Sequence, residues 1–80
     1  MKPNNQDTSA LNYNQIHWTI ACVNEYARYK SLDVREAFRY LFNFGGIKFL
    51  KDHYDAEHLL SFYDAVEDLD HICRSNGGTA

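Results

Sequence analysis

His53, Asp55, Glu57 and His58 form the densest group of metal-ligating side-chain types in this 80-residue chain. Imidazole and carboxylate together suit zinc or another divalent ion, so His53, Asp55 and His58 define one alternative reading, a small metal- or ligand-binding protein. Their spacing is poor for it. Residues five apart lie ~140° apart around a helix, whereas a helical zinc site sets two histidines four apart on one face with a glutamate between them. Capping or loop hydrogen bonding is the simpler role for both histidines, and no metal or cofactor is expected.

Asp64, Glu67, Asp68 and His71 fall along one side of a C-terminal helical pattern at three- and four-residue steps. That geometry allows a carboxylate and imidazole site. The plainer reading is a solvated face whose early acids suit a helix N-terminus and which meets Arg35 or Arg39, within the fold or on a partner. Cys22 and Cys73 sit inside helical patterns, and two cysteines make neither a disulfide framework nor a closed zinc site, so buried free thiols are expected. There is no Gly-x-Ser-x-Gly turn, no cysteine in an electropositive loop and no glycine-rich phosphate cradle. A chain of this size also has little volume to spare for a substrate pocket. The chain is therefore not expected to be an enzyme.

The net charge of −3 is uneven, with five basic and four acidic residues in Met1 to Gly46 and three basic and seven acidic in Ile47 to Ala80. Phosphate binding gains no general electrostatic help from this balance. The glycine pair Gly45 and Gly46 between two helical patterns imitates a helix-turn-helix with Lys48 and Lys51 on the recognition helix, but Asp52, Asp55 and the acidic second half oppose DNA binding. Neither nucleic acid nor membrane is an expected partner, since the apolar stretch Ile20 to Val23 is far too short to span a bilayer and no apolar targeting segment follows Lys2. A cytoplasmic protein is expected.

The elements that would position these residues are all helical. Residues 1–9 are polar and read as a disordered tail, residues 10–76 as a single helical domain, and 77–80 as a frayed C-terminus. A first helix from near Ser9 to about Lys30 carries two apolar lines, Ile16, Ile20, Val23 and Ala27 on one and Trp18, Cys22, Tyr26 and Tyr29 on the other. Asp33 with Glu36 makes a capping box for a second helix, with Leu32 stapling onto Ala37. Its stripe is Val34, Ala37, Phe38, Leu41 and Phe44, widened by Tyr40 and Phe42. Gly45 and Gly46 end it, since a glycine takes the left-handed closing conformation at no steric cost and a second lets the next helix turn away sharply. Ile47, Leu50 and Tyr54 give a short third helix, and Leu59 and Leu60 anchor a loose connection to the core. Ser61 with Asp64 caps a last helix with Phe62, Ala65, Val66, Leu69, Ile72 and Cys73 on its buried face. No strand-like alternation competes, so the predicted fold is all-α, a compact bundle of three principal helices plus one short helix.

A chain this short buries only about 60% of the surface its unfolded form exposes, and twelve aromatic residues, six of them Tyr, are many for it. Two helices with over-broad apolar arcs need either depth in the bundle or another chain to cover them. The second option makes Trp18, Tyr26, Tyr29, Tyr40, Phe42 and Tyr63 the contact residues for self-association or for a protein partner.

The segment FGGIKFLKDHYDAEHLLSFYDAVEDLDHICRSNGG, preceded by REAFRYL, resembles a small bacterial family of uncharacterised all-helical proteins, of the domain of unknown function 3791 type. The likeness rests on Phe44, Gly45 and Gly46, on His53 with Tyr54, on Asp55 with His58, and on Ser61 with Asp64 and Asp68, and it spans roughly Ile16 to Gly78. It implies an all-helical bacterial protein, often encoded beside other small proteins, including ones that look like ADP-ribosyltransferases. That neighbourhood implies a protein partner and an accessory or antitoxin-like role. No catalytic residues come with the resemblance, since none are assigned in the family.

Overall fold

The computed structural model describes residues 3–79, and side chains from Tyr13 to Thr79. Five helices follow one another with no strand among the described residues: α1 (Pro3–Lys30), α2 (Val34–Asn43), α3 (Gly46–Asp52), α4 (Tyr54–Glu57) and α5 (Phe62–Ser75). The all-α bundle is as predicted, with α4 a single extra turn inside the expected connection. Met1, Lys2 and Ala80 lie outside the described residues. Residues 3–9, expected as a tail, belong to α1. Proline at a first helical position loses no hydrogen bond and already has helical φ, and such a start leaves no mark on hydrophobic periodicity.

Helix α1 is the spine. At 1.5 Å per residue its 28 residues run about 42 Å, twice the length of the 14-residue α5 that packs on it. Helices α2 and α5 pack on α1, and α3 fills the angle between them, touching all three. The core consists of Cys22, Val23, Tyr26 and Ala27 from α1, Ala37 and Leu41 from α2, Leu50 from α3, and Ala65, Val66, Leu69 and Cys73 from α5.

Helix ends follow the sequence chemistry closely. The Asp33 N–H donates to Glu36 Oε1 at 3.3 Å, and the Ser61 hydroxyl accepts the Asp64 N–H at 3.1 Å, as the two predicted caps require. Of the glycine pair expected to end α2, Gly45 supplies the left-handed residue, at φ +83°. Two further ends are paired Schellman turns. Ser31 N–H donates to Arg28 O and Leu32 N–H to Ala27 O at the end of α1, while Gly77 N–H donates to Arg74 O and Gly78 N–H to Cys73 O at the end of α5. Gly78, expected to fray, is thereby buried against Tyr40, whose hydroxyl leaves no room for an added Cβ.

The connection between α3 and α5 departs from expectation. Leu59, expected as a core anchor, is 77% exposed and Leu60 is also exposed, while Glu57 turns inward with only 8% of its surface exposed. One-turn α4 is the reason: the turn that carries Glu57 toward the bundle puts the two leucines beyond the helix end.

Candidate protein-docking surface

The acid and imidazole groups of the 53–58 segment are separated by the turn that holds them. The His53 ring lies against Phe49 at 4.9 Å, and the His58 ring stacks on Tyr54 at 4.4 Å. His58 Nδ1 is 2.6 Å from the Tyr54 carbonyl oxygen, an acceptor only, so Nδ1 carries the proton and donates. Asp55 is exposed. Among the described residues no group of three or more His, Cys, Asp or Glu converges as a metal site would. The histidines hold the turn.

Glu57 has a different environment. Its Oε1 is buried without a hydrogen-bond partner, and burial, then the facing Asp68 carboxyl, raise its pKa to about 7. Burial, then the Glu57 and Glu25 carboxylates, push the neighbouring Cys22 thiol up to about 12. Burial, then Asp70, raises Cys73 to about 11. Both thiols are therefore held protonated, the opposite of what a nucleophile needs.

The six predicted contact aromatics divide between inside and outside. Tyr26 is fully buried, and its hydroxyl donates to Asp70 Oδ1 at 3.0 Å, so it is a core residue and not a contact residue. Tyr40 stacks on Tyr26 with centroids 6.2 Å apart and leans on Phe44 at 5.0 Å. Trp18 is half-buried, with its ring meeting Tyr54 edge to face at 5.4 Å. Tyr26 leaves the contact set because neighbouring helices close over it, while Trp18 and Tyr40 pack against the core and keep part of their surface exposed. Tyr29 and Tyr63 are exposed and share a shallow groove with Glu25, Arg28, Phe62 and Val66, where the Tyr29 hydroxyl donates to Glu67 Oε2 at 2.5 Å.

Asp70 of α5, outside the acidic face read from the sequence, is half-buried. It accepts from Lys30 Nζ at 3.2 Å and from Arg74 Nε at 2.9 Å as well as from Tyr26. Burial alone would raise its carboxyl, but hydrogen bonds from Arg74, Tyr26 and Lys30 outweigh that and hold it below the usual carboxylate range. Among the described residues the ion pairs of α5 join Asp70 to Lys30 of α1 and to Arg74 of α5 itself, and none joins α5 to Arg35 or Arg39.

Phe42 is 65% exposed and stacks on Phe38 at 6.2 Å. The buried face of α2 is Ala37 and Leu41 flanked by Tyr40 and Phe44, which turns Val34, Phe38 and Phe42 outward in a row of four-residue steps. Ile16 and Ile20, each 55% exposed, continue this apolar surface on α1. Between the two helices lies an open groove of about 500 Å³ lined by Gln15, Ile16, Thr19, Ile20, Phe38, Ile47 and Lys51. A second hollow continues it along Val23, Val34, Arg35 and Phe38. Sequence reasoning placed Ile16, Ile20, Val34 and Phe38 in the core. The four-residue row of Val34, Phe38 and Phe42, each followed by a polar residue, was the available signal for a second, outward face.

A comparison with protein families matches residues 17–76, three quarters of the chain, to a family described as a protein of unknown function, DUF3791. The chain belongs to the DUF3791 family. The resemblance carried by the Gly45–Gly46 step, the His53–Tyr54 pair and the Ser61 cap falls wholly inside the matched segment. In this DUF3791 protein the match also takes in Ile20, Val34, Phe38 and Phe42. No curated protein and no solved structure matches the chain. No helix among the described residues is long and apolar enough to cross a membrane.

Proposed function

We propose that this protein is a non-catalytic helical module that binds another protein chain through the α1–α2 face. The observation that carries this reading is the continuous exposed row of Ile16, Ile20, Val34, Phe38 and Phe42 around an open groove. Contiguous exposed apolar surface on a small domain marks an association site, and a groove between two helices is the shape that accepts a third. The protonated thiols and the self-contained histidine turn favour binding over chemistry.

Phe38→Asp and Phe42→Asp test it. Both side chains are exposed, so helicity by circular dichroism stays at the parent level while the native mass of the complex isolated from the source cell falls to that of the lone chain. A complex that survives both substitutions sinks the reading.

A further inference from the structure

Resting on that docking face, we infer that its occupant is an acidic amphipathic helix of a different protein. Charge decides the sign. Arg35 and Lys51 line the groove and its continuation, Arg39 stands one turn beyond Arg35, and none of the three has an ion-pair partner among the described residues. Lys48, by contrast, is tied to Asp52 at 2.6 Å. In a chain whose net charge is −3, Arg35 on the groove's continuation, Arg39 one turn on, and Lys51 in the groove lining, partly offset by Asp52 on its own helix, form a local basic rim. Carboxylates on the flanks of an incoming helix would complement it, whereas a basic helix would meet like charge.

Shape sets the form. Ile16 and Ile20 are four apart on one wall, and Val34, Phe38 and Phe42 are four apart on the other. Parallel rows of this spacing receive apolar side chains at three- and four-residue steps, the periodicity of one helix face. A second copy of the chain fits poorly. A two-fold contact through this face sets basic rim against basic rim, and a contact between this face and the acidic α5 of another copy is head-to-tail and does not close as a dimer.

The test replaces Phe38 with photoreactive p-benzoylphenylalanine in the full chain, crosslinks in the source cell and sequences the attached peptide by mass spectrometry. The expected adduct is a peptide of another protein, net negative, with apolar residues at three- and four-residue spacing. Arg35→Glu with Arg39→Glu lowers its yield by about tenfold, through loss of electrostatic steering. An adduct with a second copy, with a basic peptide or with nucleic acid overturns the acidic-helix inference. So does an adduct indifferent to the charge reversal. If the adduct is a protein chain, the docking reading still stands. No adduct at Phe38 or at a second probe placed at Ile20 overturns both.

Discussion

The Tyr26 hydroxyl donates to Asp70 Oδ1 at 3.0 Å, joining the centre of α1 to α5 at the edge of the core. Asp70 is simultaneously held by Lys30 and Arg74, so one carboxylate gathers donors from both helices. The tyrosine ring fills the core while its polar tip is satisfied at the boundary, which is how a large aromatic side chain can be fully buried at little polar cost.

Tyr26 and Tyr29 should therefore respond oppositely to truncation. Tyr26→Ser removes the largest fully buried side chain and should cost ~3–5 kcal/mol, enough to unfold a domain of ordinary stability. Tyr29→Ser, on an exposed ring, should cost under ~1 kcal/mol. Tyr26→Phe isolates the hydroxyl and should cost about 1 kcal/mol. Urea titrations followed by circular dichroism rank the three. Equal losses for the two serine variants would contradict the assignment of Tyr26 to the core.

Glu57 should make the protein less stable as pH rises toward neutrality. Its folded pKa of about 7 exceeds its ordinary value of 4.5, so between these values the native state holds more protons than the unfolded state, and stability falls as pH rises through that window. Asp70 works in the opposite sense. Its folded pKa is depressed, so its contribution is present above the unfolded value of 3.8 and is lost as pH falls through the folded one. Glu57→Gln should raise the urea midpoint at pH 8 and leave it nearly unchanged at pH 4. An equal shift at both values would show that the carboxyl is not the cause.

Ser31 closes α1 at φ +56°, a left-handed conformation that costs a side-chain-bearing residue roughly 1–2 kcal/mol. The cost persists because its N–H and that of Leu32 satisfy the last carbonyls of α1. Ser31→Gly should recover about 1 kcal/mol and raise the melting temperature by roughly 4–8 °C. An unchanged or lower melting temperature would mean that the hydroxyl contributes more than the strain removes.

Gly46 is required by close approach. An added Cβ would lie 2.8 Å from Leu41 Cδ2 and 3.2 Å from Cys73 Sγ, so α3 could not keep its seat against α2 and α5. Gly46→Ala should cost ~1–3 kcal/mol by overpacking. Cys73→Ala, which removes the sulfur, should then cost less in the Gly46→Ala background than alone. Additive losses would place the strain elsewhere.

Local chemistry made most helix boundaries legible. Asp33 with Glu36, Ser61 with Asp64, and Gly45 each act through neighbours within a few residues, so their roles could be read without knowing the fold. The start of α1 and the closing turn at Gly77 and Gly78 were less legible. A polar first turn has no periodicity, and Gly78 is fixed by Tyr40 from another helix. The all-helical class, the principal helices and the caps between them were readable from residue order alone. Which side of each helix faces inward was set by packing between helices. Several apolar arcs were wide enough to supply two faces, and the choice depended on how the neighbouring helices sat on α1. Tyr26 is closed over, whereas Ile16 and Ile20 face Phe38 of α2 and Ile47 of α3 across an open groove. Because α2 turns Ala37 and Leu41 inward, Phe38 and Phe42 stand outside.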